Sequence, residues 1–452
     1  MPVKPVKNIP KDPVGLVVDY LVSNDKHLLA HQVLDEFAKK ARTMAEYDTL
    51  GAAALRAQHH KLQLRCAEYL YTHSTNTQQL FDARENLYKI YNSLNEPEKA
   101  LFYIELNLKI KPNDADTLLQ KAFNLALMNR RKEAEDIIQS VAATSEEVAE
   151  SIEYSLSGKL LREGHTAKGI NGFINTFKPT NPLFEEKLKL KFWDGGAYPG
   201  KTIVVNGEGG VGDELINIRF LDHLKKLGMT PILYSSWHKY RPDTVALFRR
   251  HGYEVTTNHL FFKKDYLWTH MMSLPGYLGL TEKQLWSGPY LTPLRQEKNR
   301  LDDDKFKIGI KVSGNPWFEQ DVYRKIPIDE MLASLPKNAS IYYIDTDKEY
   351  SGTISLKNRI ESWEDTLDFI DQMDIIVSSC TSLVHAAGAM GKETMVITPI
   401  AEYYIWTSTR TDGTTPWYGD NFKILKQTEV RSWQEPLSQV SEILKTKIDR
   451  IF

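Results

Sequence analysis

Asp374-Ile375-Ile376-Val377-Ser378-Ser379-Cys380-Thr381-Ser382-Leu383-Val384-His385-Ala386-Ala387-Gly388-Ala389-Met390-Gly391 reads as a strand, a short turn and a helix. Thr381 and Ser382 stand where the helix begins, so their hydroxyls and the first unpaired backbone N–H groups point to one place. A helix start of this kind suits phosphate, because orphan donors and the positive end of the helix dipole hold a diphosphate without calling on a metal. Ala386, Ala387, Gly388 and Ala389 are small and let a ligand or a neighbouring sheet come close. His385, one turn into the helix, is placed to donate to a phosphate oxygen. The same residues also fit a Ser/Thr helix cap with a packed histidine behind it, and by themselves they leave both readings open.

Outward from this stretch, strands and helices alternate. Lys307–Val312 runs into a Ser313-Gly314-Asn315-Pro316 turn, and Ile341–Ile344 and Thr394–Ile397 are further strands. Upstream, Thr202–Val205 ends in Asn206-Gly207-Glu208-Gly209-Gly210-Val211-Gly212-Asp213, followed by a helical pattern at Leu215, Ile218, Leu221 and Leu224. Pro231–Tyr234 and Tyr253–Val255 continue the alternation, and the charged break Lys298–Lys305 reads as a linker. Two Rossmann-like halves follow, with ligand expected in the crevice at the strand carboxyl ends. The glycine run matches G-x-G-x-x-G only loosely, so a nicotinamide enzyme is not expected.

The first part of the chain has another rhythm. Ala67, Ala100, Ala134 and Ala167 recur at intervals of 33, 34 and 33 residues, each opening a helical apolar pattern. That period matches a tetratricopeptide (TPR) unit, in which a small residue lets paired helices cross closely. Leu87 and Tyr91 share a helix face, Asn95-Glu96-Pro97 turns the chain, and Pro112 and Pro179 each follow their alanine by twelve residues. The stretch before Thr49 is expected to be helical. A non-repetitive helical bundle is the plainer alternative. A stacked array leaves a concave face suited to a peptide, a protein partner or an extended acceptor.

Bulk properties narrow the class. In 452 residues, 57 basic and 59 acidic side chains give a net charge of −2, which argues against bulk electrostatic binding to nucleic acid or membrane. Cys66 and Cys380 are the only cysteines and form no framework, in keeping with a reducing compartment. The proline- and lysine-bearing start, Met1 to Val14, lacks the apolar segment of a signal peptide, and no run is long enough to span a membrane. A soluble, cytoplasmic chain is expected. The 12 histidines, His59, His60 and His251 among them, have no metal-ligand spacing. Trp237, Trp268, Trp317, Tyr403 and Trp417 could stack on a base or a sugar, or belong to the core.

Asp365-Thr366, Asp374–Ser378 and Thr381–Lys392 resemble the nucleotide-sugar motif of TPR-fused bacterial glycosyltransferases, which are related to the heptosyltransferase (family 9) and O-GlcNAc transferase groups and have the GT-B fold. The resemblance continues, in order, through other elements. Glu208–Glu214 with Arg219-Phe220 resembles an E-Q-G-x-G-D loop, and Ser273-Leu274-Pro275 matches S-L-P. Ile308-Gly309-Ile310, Ser313–Pro316 and Arg324 match I-G-x-x-W-S-G-N-P and the arginine after it. Trp406, Thr415–Tyr418 and Gln427 match the closing elements.

The resemblance implies that Thr381, Ser382, His385 and Gly388 face the donor diphosphate, with Lys311, Ser313 and Arg324 on the donor side. Glu208, Gly209, Gly210 and Gly212 would form an acceptor-side loop. Asp213 is the candidate base, taking the acceptor proton; otherwise it is a helix cap. Lys311 stands where the family has Trp; it could neutralise the leaving diphosphate or be a surface lysine. Cys380 replaces the motif's Asp, Gly209 its Gln, and Tyr404-Ile405-Trp406 its W-R-W.

The expected fold is α + α/β: a TPR-like helical repeat (1–185), an N-terminal Rossmann-like acceptor-side domain (186–300) and a C-terminal Rossmann-like nucleotide-sugar donor domain with a closing helix (301–452), in a GT-B arrangement. The expected function is transfer of a hexosyl or related sugar from a nucleotide sugar to an acceptor presented by the repeat, with no cofactor and no metal. Candidate acceptors are a protein, a glycan and, least favoured by the charge, a modified nucleic-acid base; the concave face offers room for a protein partner. The competing reading is a non-enzymatic TPR adaptor on a degenerate transferase domain, motivated by Cys380 and the lost arginine.

Overall fold

The computed structural model describes residues 13–24, 26–144, 149–175, 181–235, 242–316, 318, 320–408 and 410–449. Pro179, Trp237 and Trp317 lie outside the described residues. The chain forms two units, Met1–Ser145 with Trp317–Val322, and Glu146–Pro316 with Tyr323–Phe452.

The first unit is helical: α1 (Pro13–Ser23), α2 (His27–Ala38), α3 (Met44–Arg56), α4 (His60–His73), α5 (Thr77–Ser93), α6 (Pro97–Leu108), α7 (Ala115–Leu127) and α8 (Arg131–Thr144). Local chemistry sets the boundaries. Thr43 and Glu46 form a reciprocal capping box on α3, Asn76 caps α5 and Asp114 caps α7, satisfying amide groups that the helix cannot. Pro97 opens α6, where its missing N–H costs nothing. Asn95 and Asn129 take φ values of 56° and 59°, the left-handed turn asparagine tolerates after a helix. From α3 to α8 each helix packs on the one before it, and Ala67, Ala100 and Ala134 are buried in α4, α6 and α8. A larger side chain there would push neighbouring helices apart.

The second unit opens with α9 (Ala149–Arg162) and α10 (Thr166–Asn175) and continues into two sheets. The first contains β1 (Lys191–Phe192), β2 (Thr202–Asn206), β3 (Thr230–Tyr234), β4 (Val255–Thr256) and β5 (Leu267–His270), in the order β1-β5-β2-β3-β4, all parallel. The second contains β6 (Lys307–Lys311), β7 (Ser340–Tyr343), β8 (Ile354–Ser355), β9 (Ile375–Ser379), β10 (Thr394–Thr398), β11 (Thr414–Thr415) and β12 (Gly419–Lys426). Its order is β11-β12-β10-β9-β6-β7-β8, parallel except where β11 meets β12.

The strands read as apolar runs because both faces are covered. Ile203 and Val205 enter a core that also takes in Leu161, Ile170 and Phe173 of α9 and α10, while Val204 faces Phe184, Tyr234 and Trp268 on the other side. In the second sheet, Ile376 and Val396 face that same core. Ile375, Val377, Met395 and Ile397 face Leu437, Val440 and Leu444 of the last helix, Gln434–Ile448. Each such side chain contributes about 1.5–3 kcal/mol when fully buried.

The charged break between the sheets is no free tether. Asn299 donates to Asp365 Oδ1 (2.8 Å) and Asp368 Oδ2 (3.0 Å), and the backbone N–H groups of Arg295 and Gln296 donate to Asp368. Both aspartates lie on the Trp363–Gln372 helix, so the segment is bonded to it. Tyr342 secures its end by donating to Asp303 (2.7 Å).

Candidate functional site

Two loops leave the carboxyl ends of parallel strands and meet. After β9, Thr381 takes extended backbone angles as the N-cap of the Ser382–Ala389 helix, and its side chain caps nothing; its hydroxyl stands 3.5 Å from that of Ser378. After β2, the glycine loop leads into α11 (Val211–Asn217). Gly209 there has φ +74°, and a Cβ would lie 2.4 Å from Asp213 Oδ2, so two independent constraints require glycine.

The two helices touch at Gly212. A Cβ on it would stand 2.8 Å from His385 Cδ2 and 3.3 Å from Ser382 Cα. Gly388 gives the same closeness on the far side, where a Cβ would lie 2.4 Å from the Tyr418 ring. Gly212, Ser382, His385 and Gly388 thus form one packed locus.

Asp213 stands at its edge. Its Oδ2 accepts from Gly210 N (2.7 Å), and its Oδ1 accepts from the Tyr403 hydroxyl (3.0 Å). Burial pushes its carboxyl up to about 6; the bonds from Gly210 and Tyr403 oppose this, and Glu208 and Glu214 add to it. A carboxyl titrating there changes charge near neutral pH, as a general base requires. Glu208 is held by His270 (2.6 Å) and by Met272 N (3.1 Å).

His385 stacks on Trp406 with 5.3 Å between centroids, and its Nδ1 lies 2.7 Å from the Tyr418 hydroxyl. Burial pushes its imidazole down to about 3, with the Arg219 and Arg324 cations adding to the effect, so the ring is neutral at ordinary pH. Arg219 is itself buried beside Phe220, Trp286, Tyr290, Trp417 and Tyr418, at 5.0–5.9 Å from each ring centroid. It donates to the Trp417 carbonyl (2.8 Å), while its Nε and Nη2 find no acceptor among the described residues.

The remaining expected donor-side residues have protein partners. Lys311 Nζ pairs with Asp345 (2.7 Å), Lys348 donates to Ser313 Oγ (2.8 Å), and Arg324 Nη1 donates to the Cys380 carbonyl (2.7 Å). Of the aromatics named from sequence, Trp268 and Trp417 are core, and Tyr403 bonds Asp213. Sequence reasoning had no means of finding Tyr290, Asp345 or Lys348, whose partners lie far along the chain; Tyr418 was in view only within Thr415–Tyr418.

No family model matches the chain, and no curated protein matches it in sequence. Solved structures do. A glycosyl transferase of family 9 from Veillonella parvula is 9% identical, covering 57% of this chain and 99% of its own, with a TM-score of 0.38. The iron-containing dodecameric glycosyltransferase TibC from enterotoxigenic E. coli is 12% identical, covering 56% and 77%, at 0.37. A variant O-GlcNAc transferase from Thermobaculum terrenum is 10% identical, covering 83% and 92%, at 0.29. These likenesses are all to glycosyltransferases. They fall in the groups that the motif resemblance named.

The expectation of a metal-free protein does not stand. TibC, in two structures, is described as iron-containing. The expectation rested on helix-start amides meeting a diphosphate's charge, which says nothing about an ion held elsewhere. Among the described residues, no group of three or more His, Cys, Asp or Glu side chains is placed to hold an ion, so these residues do not fit an iron site. No helix among the described residues is long and apolar enough to cross a membrane.

Proposed function

We propose that the chain is a GT-B-type glycosyltransferase using a nucleotide sugar. The diphosphate would lie at the start of the Ser382–Ala389 helix, with Thr381, Ser382, His385 and Gly388 around it and Lys311, Ser313 and Arg324 nearby. Residues 301–452 would form the donor side and 186–300 the acceptor side, with Glu208–Gly212 as the acceptor loop. One observation supports the reading: α11 packs on the Ser382–Ala389 helix at Gly212, one residue from the Asp213 carboxyl, which burial pushes up to about 6.

In the reaction, an acceptor hydroxyl oxygen attacks the anomeric carbon and gives its proton to ionised Asp213. The bond to the nucleoside diphosphate breaks, and that group leaves with the electron pair. The helical region 1–185 would act as a TPR-type array that presents the acceptor, a protein or a glycan.

Calorimetric titration with UDP-, GDP- and ADP-sugars tests this. Binding of one of them, with Asp213→Asn abolishing transfer at nearly unchanged donor affinity, is the expected result. A folded protein that binds none supports the adaptor reading instead, which is also favoured by the engagement of Lys311 and Ser313 with Asp345 and Lys348.

A further inference from the structure

α10 packs on elements that belong to both sheets. Its glycines fit it closely to α9: a Cβ on Gly169 would stand 2.6 Å from Leu161 Cγ, and one on Gly172 would stand 2.5 Å from Ser157 Oγ. Residues three apart share a helix face, so Gly169 and Gly172 mark the face turned to α9 and leave Ile170 and Phe173 for another. Ile170 and Asn171 meet the short Leu274–Tyr277 helix after β5, where a Cβ on Gly276 would collide with the Asn171 amide oxygen and stand 3.3 Å from Ile170 Cγ2. Phe173 is buried against the other half of the unit. Its ring stacks on Tyr404, with 4.6 Å between centroids and 29° between planes, and meets Tyr403 edge to face, at 5.9 Å and 89°.

Tyr403 stands at the N-cap of the Tyr404–Thr407 helix with extended backbone (φ −71°, ψ 149°), so its ring is set by tertiary contacts and not by packing along a helix. From there its hydroxyl donates to Asp213 Oδ1 at 3.0 Å and lies 3.9 Å from the Met272 sulfur. The hydroxyl is at the far end of the side chain, so a small turn about χ1 carries it out of reach of the carboxylate.

We infer that Phe173 is a positioning residue: its ring fixes the Tyr403 side chain at the angle from which the hydroxyl reaches Asp213, so that the candidate base takes its orientation from α10. That Asp213 is the base rests on the proposed function; the contact rests on the geometry. A bond given to the ionised carboxylate favours that form, so loosening Tyr403 raises the pH at which Asp213 ionises. The other charged and titratable groups on elements around α11 are Glu208 in the glycine loop, Glu214 on α11, Arg219 beyond its end, His385 on the Ser382–Ala389 helix and Tyr404 beside Tyr403. Phe173 has no polar atom. It can act on the carboxyl by placing a donor or by keeping water away, and the two act with opposite sign.

Carboxyl-¹³C titration of full-length protein labelled at aspartate reads Asp213 directly, with Asp213→Asn to identify its signal. Phe173→Leu keeps an apolar side chain and removes the flat ring. The Asp213 midpoint should rise from about 6 by up to about one pH unit, the size of a lost hydrogen bond to a carboxylate. In a Tyr403→Phe background the same substitution should add nothing, because the bond it acts through is gone. A fall in the midpoint, the sign expected if Phe173 served to keep water from the carboxyl, overturns the inference. So does an unchanged midpoint, or an equal rise in both backgrounds. Ring-to-ring NOEs between Phe173 and Tyr403 in the unsubstituted protein test the contact without relying on any variant to fold, and their absence also overturns it.

The titration needs no nucleotide sugar. Where turnover is measured, the acid limb of the pH–rate profile should move up with the midpoint in Phe173→Leu while donor affinity holds. A midpoint that moves while the limb stays removes Asp213 as base, and with it the positioning role in transfer. If the midpoint moves and no nucleotide sugar binds, the proposed function fails while the tie from α10 to Asp213 stands.

Discussion

Gly212→Ala tests the contact on which the site is built. The added Cβ would sit 2.8 Å from His385 Cδ2 and 3.3 Å from Ser382 Cα, the latter being backbone that cannot rotate away. Ordinary carbon–carbon contact begins near 3.5 Å, so the imidazole must give by about 0.7 Å and the Ser382 backbone by about 0.2 Å. Overpacking of that size costs about 1–3 kcal/mol. Without the clash the sign would be opposite, since alanine in place of a helical glycine gains up to about 1 kcal/mol. Gly158→Ala supplies that contrast in the same unit: a Cβ there would meet only the Arg162 guanidinium, at 3.4 Å, the far end of a flexible side chain. At about 2–4 °C per kcal/mol, thermal melts monitored by circular dichroism should show Gly212→Ala several degrees below wild type and Gly158→Ala slightly above it. If Gly212→Ala melts at or above wild type, α11 and the Ser382–Ala389 helix are not in contact, and the site as described is wrong.

Three further outcomes are expected. Tyr403→Phe removes a donor to Asp213, so its carboxyl should titrate above the present value of about 6. Transfer needs the ionised form, so activity should fall at pH 6 and recover toward pH 8; a pH–rate profile whose acid limb stays in place argues against Asp213 as base. Lys311→Met leaves the buried Asp345 carboxylate without its partner and should cost about 3–5 kcal/mol. Lys311→Met combined with Asp345→Asn should recover most of this in urea denaturation, and no recovery would mean that the pair is not coupled. At Asp365, burial pushes the carboxyl up, but bonds from Asn299, Lys298 and Ser362 outweigh it and hold it at about 2 against an ordinary 3.8. A depressed carboxyl stabilises the fold above its unfolded value and loses that contribution as pH falls through the folded one. The deficit of Asn299→Ala should therefore be fully developed above pH 4 and shrink toward pH 2, and a deficit independent of pH would refute the assignment.

The parts of this chain legible in its sequence are those whose physics is local. β2, β6, β9 and β10 are β-branched or apolar runs bounded by turn residues, and their buried faces follow from period two. The alanine spacing marked helices whose close approach depends on those alanines. Gly209 was visible as part of a glycine loop because its backbone angle admits little else. Leu267–His270 passed unread as a strand, since four mixed residues carry no alternation; only its place between β1 and β2 makes it one. Gly419–Lys426 was obscured by Asp420 and Lys423. The charged segment 298–305 read as a tether because its partners, Asp365 and Asp368, come some 70 residues later, and the bond from Tyr403 to Asp213 spans 190.

The strap between the two sheets has a consequence for how ligands arrive. Arg295 to Leu301 is bonded along its length to the Trp363–Gln372 helix, and Arg250 adds an ion pair to Glu364 on that same helix (2.7 Å). A connection fastened in this way is held against swinging one sheet from the other. Under the proposed function, a nucleotide reaching the strand carboxyl ends would then meet a site already formed and not a jaw that must open first. In stopped-flow experiments, the observed association rate should climb in proportion to nucleotide concentration without levelling off, because no slow rearrangement precedes or follows capture.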